Sequence, residues 1–93
     1  MEKKLKNIQI NIYGRVQGVG FRYSALHKAQ ETGIRGYVKN MYDGSVFIEA
    51  EGDDTDIENF LLWCHKGPPW ARIDQVKTTP GAVKNHTSFY IKS

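Results

Sequence analysis

Apolar and polar residues alternate near the start of the chain, where Ile8, Ile10 and Ile12 are separated by single polar residues. A period of two is typical of a strand that buries one face. Residues 21–32 contain neither Gly nor Pro, and Gly33 follows them directly. We therefore predict a strand followed by a helix, with Gly33 as the residue that ends the helix.

A hairpin and a second helix are predicted next. Residues 34–40 and 45–51 lie on either side of an Asp-Gly pair, which is a strong signal for a β-hairpin. In the second of these strands Glu49 and Glu51 share one face, and we expect a solvated face rather than an acid–base pair. The acidic residues of 53–56 suit a helix start, because carboxylates cap and stabilise a helix N-terminus. The core-facing residues of this helix recur at helical spacing: Ile57, Phe60, Leu61 and Cys64.

The last third of the chain predicts an irregular strand, a loop and a short final strand. Gly67 and two prolines end the second helix, and the alternation in residues 71–76 has a break that a β-bulge explains. Residues 79–85 are predicted to form a loop, and residues 89–91 a strand. The element order predicts one α+β domain over residues 1–93. We expect a ferredoxin-like α/β sandwich, βαββαβ with an added C-terminal strand, with both helices on one face of an antiparallel sheet.

Composition narrows the class of protein. The chain has 93 residues, of which 40% are hydrophobic and 25% charged, which is ordinary for a soluble domain with a single core. The formal net charge of +3 mildly favours anionic ligands. No run of Lys or Arg exceeds two residues, so we expect no nucleic-acid partner.

Cys64 is the only cysteine, so no disulfide can form within the chain. It lies on the predicted core-facing stripe, and we interpret it as a core residue rather than a nucleophile. His65 beside it has no further ligand at metal spacing, so we expect no metal site and no cofactor. The N-terminus resembles no secretory signal, and no stretch approaches the roughly 20 apolar residues that span a bilayer. We expect a cytoplasmic monomer without a membrane partner.

Residues 14–22, with the sequence G-R-V-Q-G-V-G-F-R, connect the first strand to the first helix. Glycines leave backbone amides unobstructed, and a row of amides that opens onto a helix N-terminus can bind an anion. Arg22 falls in the first helical turn, where a guanidinium can bind a phosphate with two hydrogen bonds. The spacing fits neither a Walker A loop nor a dinucleotide fingerprint. Glycine-rich turns between a strand and a helix are also common without any ligand.

This stretch resembles the phosphate-binding loop of the acylphosphatase family, G-x-V-Q-G-V-x-F-R. A second block, residues 36–40 with the sequence G-Y-V-K-N followed by the Asp-Gly turn, is similar to the family's other signature. Weaker matches are the Gly-Pro-Pro of residues 67–69 and the Phe-x-Ile of residues 89–91. The resemblance covers almost the whole chain. It implies the ferredoxin-like fold and the hydrolysis of acyl phosphates to a carboxylate and inorganic phosphate.

The resemblance also implies site residues. Arg22 binds the transferred phosphoryl group, and Asn40 orients the attacking water. Taken without the motif, Asn40 is interpreted as a structural residue before a turn. The remaining phosphate-binding groups implied are backbone amides: those of Arg15, Val16, Gln17, Gly18, Val19 and Gly20. Inorganic phosphate is then both product and competitive inhibitor, and the substrate is a small acyl phosphate.

Two positions depart from the commonest family pattern. Tyr37 stands where Trp is frequent, and Lys92 stands where many relatives have Arg, so any role of that Arg is not carried over. One alternative is a non-catalytic or carbamoyl-phosphate-processing acylphosphatase-like domain, although the chain length favours a free-standing enzyme. Another is an RNA-binding module of the same topology. Its RNP1 motif begins like residues 35–37, but Lys39 replaces the second aromatic residue.

Overall fold

Five strands and two helices make up the protein, and the computed structural model describes residues 4–93. The predicted domain of residues 1–93 thus includes three residues, 1–3, outside the described part. The elements follow the predicted order: β1 (Lys6–Arg15), α1 (Phe21–Thr32), β2 (Arg35–Asn40), β3 (Val46–Gly52), α2 (Asp54–Lys66), β4 (Arg72–Gly81) and β5 (Phe89–Ile91). Within residues 4–93, neither helix is long and apolar enough to cross a membrane.

The sheet has the strand order β4-β1-β3-β2-β5. The ferredoxin-like α+β class is confirmed, but the sheet is mixed, because β5 pairs with β2 in parallel while the other pairs are antiparallel. The parallel pairing of β5 with β2 follows from the end of the sheet at which the chain crosses from β4 to β5. The end of β4, at Gly81, pairs with Asn7 near the start of β1, and β2 begins at this same end of the sheet. A strand that starts there must run in the direction of β2.

The core lies between the helices and one face of the sheet. Alternate residues of the central strands, such as Ile10 and Ile48, are fully buried against Phe21 of α1 and Phe60 of α2. Cys64 is also fully buried, as predicted, and burial raises the pKa of its thiol. Complete burial of a side chain the size of Ile or Phe stabilises the fold by about 1.5 to 3 kcal/mol. The hydrophobic pattern therefore orients both helices on the sheet.

The ends of both helices agree with the sequence. Gly33 adopts a left-handed conformation, with φ of 78°, and its N–H donates to the carbonyl of Ala29. At the start of α2 the carboxylate of Asp53 accepts a hydrogen bond from the backbone N–H of Asp56 at 2.8 Å. Gly67 follows the last residue of α2 and donates to the carbonyl of Trp63. The predicted helix boundaries are confirmed to within a residue.

The predicted irregularity of β4 is a bulge opposite the end of β1. The register shifts between Tyr13 and Gly14. Gly14 has φ of 134°, and a Cβ there would lie 2.1 Å from the carbonyl oxygen of Arg72, so no larger residue fits. The predicted loop over residues 79–85 is wrong in its first part, because β4 continues to Gly81. Pro80 is tolerated in β4 because this strand lies at the edge of the sheet.

The expected solvated face at Glu49 and Glu51 is wrong. Their side chains are only 1% and 0% exposed, because residues 82–88 cross the sheet on the face opposite the helices. We call these residues the crossing segment. The Glu51 carboxylate accepts hydrogen bonds from the backbone N–H groups of Lys84 and His86, at 2.6 and 2.8 Å. It also accepts one from Nδ2 of Asn7 at 2.8 Å.

Glu49 binds the side chains of the same segment. Its carboxylate contacts Nζ of Lys84, and its other oxygen lies 2.5 Å from Nε2 of His86. Burial is the largest single influence on either carboxyl and would by itself raise its pKa. The hydrogen bonds together outweigh burial, so the pKa of Glu49 and that of Glu51 lie below the usual range. Both groups are therefore charged at neutral pH and hold the crossing segment against the sheet.

Replacing Glu51 by Gln should lower the free energy of unfolding at pH 7 by about 1 to 3 kcal/mol. The amide keeps the size of the side chain, but it places a donor against backbone donors that the carboxylate satisfied. A carboxylate with a lowered pKa in the folded state stabilises fully above the unfolded pKa, about 4.3, and loses this contribution as the pH falls through the folded pKa. The variant should therefore show a weaker loss of stability on acidification.

The measurement is urea unfolding at pH 7 and at several lower values. The control is the Glu58→Gln variant, because Glu58 is an exposed carboxylate of α2. If both variants had the same stability and the same pH profile, Glu51 would not anchor the crossing segment.

Candidate active site

The loop between β1 and α1 exposes its backbone. Gly18 and Gly20 have φ of 73° and 78°, which other residues adopt only with strain. A Cβ at either position would meet nothing within 4 Å, so the backbone conformation rather than crowding requires Gly. Val16 is buried and Val19 is partly buried, so these side chains anchor the loop while its glycines face open space.

The N-terminus of α1 has unsatisfied donors. Gly20 precedes the helix and provides no side-chain cap, and no acidic residue lies in the first turn. Within residues 4–93, no acceptor is found for the backbone N–H groups of residues 17–20. The first bonded amide is that of Ser24, which donates to the carbonyl of Gly20 at 3.1 Å. Free amides and the positive end of the helix dipole favour a bound anion here.

An arginine lies at each end of this loop. Arg22 is the second residue of α1 and is exposed to solvent, and in the described part of the chain it forms no ion pair with a carboxylate. Arg15 is the last residue of β1, is also exposed, and pairs in the sheet with Arg72 of β4. Both guanidinium groups are thus accessible at the two ends of the loop, and the Arg22 side chain is unengaged.

Gln17 ties the loop to the β2–β3 turn. Its Nε2 donates to the carbonyl oxygens of Met41 and Ser45, at 2.8 and 2.9 Å. The sequence pattern assigned Gln17 only a backbone role, so this contribution of its side chain was missed. The available sequence signal was a polar residue within an otherwise apolar and glycine stretch, residues 16–21. The two hydrogen bonds bring the loop next to the turn that follows Asn40.

Asn40 is the last residue of β2, and its side chain is exposed. The turn after it is closed by hydrogen bonds between Met41 and Ser45, and between Gly44 and Met41. The Asp43 carboxylate accepts from the Ser45 hydroxyl at 2.5 Å and from its N–H at 2.9 Å. The Ser45 hydroxyl bond is the main reason why the pKa of Asp43 is lowered. The turn holds the backbone of Asn40 in a fixed position at the end of the sheet.

Two clefts lie at this end of the molecule. One, the Asn40 cleft, is lined by Lys39, Asn40, Met41, Tyr42 and Ser93. The other, the Trp63 cleft, lies between the start of α1, the end of α2 and the start of β4. Its lining residues are Ser24, Trp63, Lys66, Gly67, Pro68, Pro69 and Ala71. None of the residues that line either cleft belongs to the loop of residues 15–20.

The two departures from the family pattern contact each other away from this loop. Nζ of Lys92 lies 4.6 Å from the centre of the Tyr37 ring, a distance at which a cation is attracted to an aromatic face. The backbone N–H of Lys92 donates to the carbonyl of Val38 at 2.9 Å. Lys92 therefore contacts β2 at Val38, the residue that precedes Lys39 and Asn40 at the end of this strand. Among residues 4–93, no three His, Cys, Asp or Glu side chains are grouped so as to hold a metal ion.

A ferredoxin-like sandwich with an open glycine-rich loop at the start of its first helix defines an α+β domain with a candidate anion site. Comparisons with known proteins agree with this class. The family model named acylphosphatase matches residues 8–91. A relative named acylphosphatase from Thermotoga petrophila is 44% identical over 88 residues, which cover 95% of this chain and 98% of the relative.

Solved structures show the same similarity. The crystal structure of an acylphosphatase from Bacillus subtilis superposes with a TM-score of 0.92 at 34% identity, covering 97% of this chain and 100% of that chain. HypF from T. kodakarensis superposes with a TM-score of 0.85 at 39% identity, over 95% of this chain but only 12% of that chain. The chain belongs to the acylphosphatase family.

Replacing Gln17 by Glu should lower the free energy of unfolding by about 1 to 3 kcal/mol. The carboxylate has nearly the same shape, but it donates no hydrogen bond at neutral pH and places a negative charge against two carbonyl oxygens. The measurement is urea unfolding at pH 7. Gln30→Glu is the matched control, because Gln30 is exposed on α1. Equal stability of the two variants would show that the tie to Met41 and Ser45 is not needed to hold the loop.

Proposed function

We propose that this protein is an acylphosphatase, which hydrolyses the mixed anhydride of an acyl phosphate to a carboxylate and inorganic phosphate. Membership of the family supports the activity. The single observation that carries the mechanism is the loop at the start of α1, with amides that have no acceptor and an unengaged Arg22 beside them. This arrangement suits a phosphoryl group that carries most of its charge on three oxygens.

The proposed reaction needs few catalytic groups. A bond forms between the oxygen of water and phosphorus, and the bond from phosphorus to the acyl oxygen breaks. The acyl group departs with the electron pair as a carboxylate, and the proton of the water passes to solvent. A carboxylate is a stable leaving group and needs no proton from the enzyme. Positioning and charge stabilisation then provide most of the catalysis, and no cofactor or metal is needed.

In this proposal the phosphoryl oxygens bind the Arg22 guanidinium and the backbone amides of residues 15–20. Preorganised donors of this kind act most strongly where charge develops in the transition state. The contacts of Gln17 support the arrangement, because they hold the loop beside the turn that carries Asn40. The Asn40 side chain then orients the attacking water. An amide both donates and accepts hydrogen bonds but does not act as a base, which suits this role.

The proposal also covers the substrate, the inhibitor, the localisation and the oligomeric state. The substrate is a small molecule, and inorganic phosphate is a competitive inhibitor because it occupies the phosphoryl position. The protein acts as a cytoplasmic monomer, without a nucleic-acid or membrane partner. The alternative is an acylphosphatase-like domain that processes carbamoyl phosphate, and the similarity to a 12% portion of the HypF chain shows that this fold also occurs inside a longer protein. An assay that compares carbamoyl phosphate with acetyl phosphate separates the two.

Replacing Arg22 by Ala should lower kcat/KM on acetyl phosphate at least about 100-fold, the scale for one preorganised transition-state donor. Arg22→Lys should not restore activity, because Lys keeps the charge but not the planar fork that binds two oxygens. Steady-state kinetics measure both variants. Arg35→Lys is the control, since Arg35 is at the opposite end of β2 from Asn40. Activity near that of the unmodified protein in Arg22→Lys would contradict binding through two hydrogen bonds.

Replacing Asn40 by Ala should lower kcat and kcat/KM together, while inorganic phosphate still binds. An interaction made mainly in the transition state has this signature. The measurement pairs steady-state kinetics with calorimetric titration of phosphate. Asn59→Ala, an exposed position on α2, is the matched control. A kcat near that of the control would return Asn40 to a purely structural role before the turn.

A further inference from the structure

Acidic side chains are concentrated at the end of the sheet that lies away from the loop of residues 15–20. Gly52, the last residue of β3, pairs with Lys6 at the start of β1, whereas the loop follows the end of β1. Directly after Gly52 the chain enters α2, and the acidic residues lie at this helix start: Asp53, Asp54, Asp56 and Glu58. Since β1 has 10 residues, roughly 30 Å separate these carboxylates from the loop.

Unpaired positive charge lies at the loop instead. Arg15 and Arg22 are at its two ends, and Lys39 is the residue before Asn40 in β2. Among residues 4–93, none of these three cations forms an ion pair with a carboxylate. Their charges therefore act on the solvent around the loop.

Two carboxylates also lie near the loop, but both are engaged locally. Asp74 follows the residue of β4 that pairs with Gly14, and its Oδ1 lies 3.0 Å from Nε of Arg72. Asp43 accepts hydrogen bonds from the hydroxyl and the N–H of Ser45. Because Arg72 compensates Asp74, the three unpaired cations outweigh the Asp43 carboxylate. The field at this end of the sheet attracts anions.

Lys39 differs from the two arginines in its position. It lines the Asn40 cleft, and its side chain is half-buried. Its Nζ lies 5.7 Å from the centre of the Phe47 ring, a distance at which an aromatic face attracts a cation without cancelling its charge. The ammonium group is thus held at the cleft by an uncharged wall. Lys84, by contrast, contacts the carboxylate of Glu49, which compensates its charge.

A charge at this position acts on an anion before the anion reaches the loop. Coulomb attraction extends over a Debye length, which is about 30 Å in 0.01 M salt and about 8 Å in 0.15 M salt. Once the loop holds the phosphoryl group, a cation that does not touch the reacting atoms stabilises the bound substrate and the transition state almost equally. Such uniform binding lowers KM and raises kcat/KM, but it leaves kcat unchanged.

We propose that Lys39 is a capture residue, whose charge in the Asn40 cleft draws the anionic acyl phosphate to the loop and lowers KM without taking part in the reaction. This inference rests on the proposed hydrolysis and adds to it a residue that determines how well the site recruits its substrate. Inorganic phosphate is an anion of the same kind. The charge of Lys39 therefore lowers the inhibition constant of phosphate by about the same factor as the KM of the substrate.

The test removes this charge in Lys39→Gln, which retains a polar side chain. In about 0.01 M salt, kcat/KM for acetyl phosphate should fall about 3- to 10-fold, the scale of one charge–charge interaction across water. The kcat should stay unchanged, and the inhibition constant of inorganic phosphate should rise by the same factor. The difference between the variant and the unmodified protein should become small in about 0.5 M salt, because salt screens the attraction.

Two further variants separate charge from structure. Lys39→Arg keeps the charge and should keep kcat/KM near that of the unmodified protein. Lys6→Gln removes the same charge at the far end of β1, where Nζ of Lys6 lies 2.6 Å from Oδ1 of Asp54. It should leave kcat/KM unchanged at each salt concentration.

The outcomes are distinguishable. If the unmodified protein did not hydrolyse acetyl phosphate, the proposed function and the capture role would both be overturned. If hydrolysis occurred and Lys39→Gln matched the unmodified protein at low salt, only the capture role would be overturned. A fall in kcat, or a loss that persisted at high salt or in Lys39→Arg, would assign Lys39 to the reaction or to folding, which also contradicts the proposal.

Discussion

The tie between the glycine-rich loop and the β2–β3 turn is the interaction on which the candidate site depends. Gly18 and Gly20 face open space, so packing does not direct the amides of the loop toward one point. The Gln17 side chain supplies this constraint through two hydrogen bonds to a turn that the Asp43 and Ser45 contacts already close. The position of the loop is thereby set relative to Asn40, and the open amides at the start of α1 form the anion site that we propose.

The crossing segment determines the path of the chain between β4 and β5. Buried ion pairs contribute little stability by themselves, because desolvation offsets their attraction. Glu51, however, accepts hydrogen bonds from two backbone N–H groups of the segment, and Glu49 binds two of its side chains. These contacts specify where the chain crosses the sheet. They therefore determine that β5 pairs in parallel with β2, the strand that ends at Asn40.

Local patterns in the sequence were sufficient for most of the fold. The alternation of β1, the capping of α2 by one of residues 53–56 and the stop at Gly33 each depend on neighbours within a few residues, and each is found as predicted. The burial of Glu49 and Glu51 was missed because their partners lie more than 30 residues away, and alternation shows which residues share a face but not what covers it. The contacts of Gln17 were missed because its partners, Met41 and Ser45, lie 24 and 28 residues away, beyond the reach of a local pattern. The clefts are likewise products of assembly, since their walls come from distant elements.

Stability and the proposed chemistry depend on different residues of the sheet and its connections. The buried carboxylates, Glu49 and Glu51, lie under the crossing segment, where a change of protonation affects folding. The proposed reaction uses backbone amides, a guanidinium and a side-chain amide as hydrogen-bonding groups. Because the leaving carboxylate needs no proton, a general acid would add nothing to this site. In the proposed mechanism, a domain with a single core performs this hydrolysis through positioning and charge stabilisation, provided that one loop is held beside one turn.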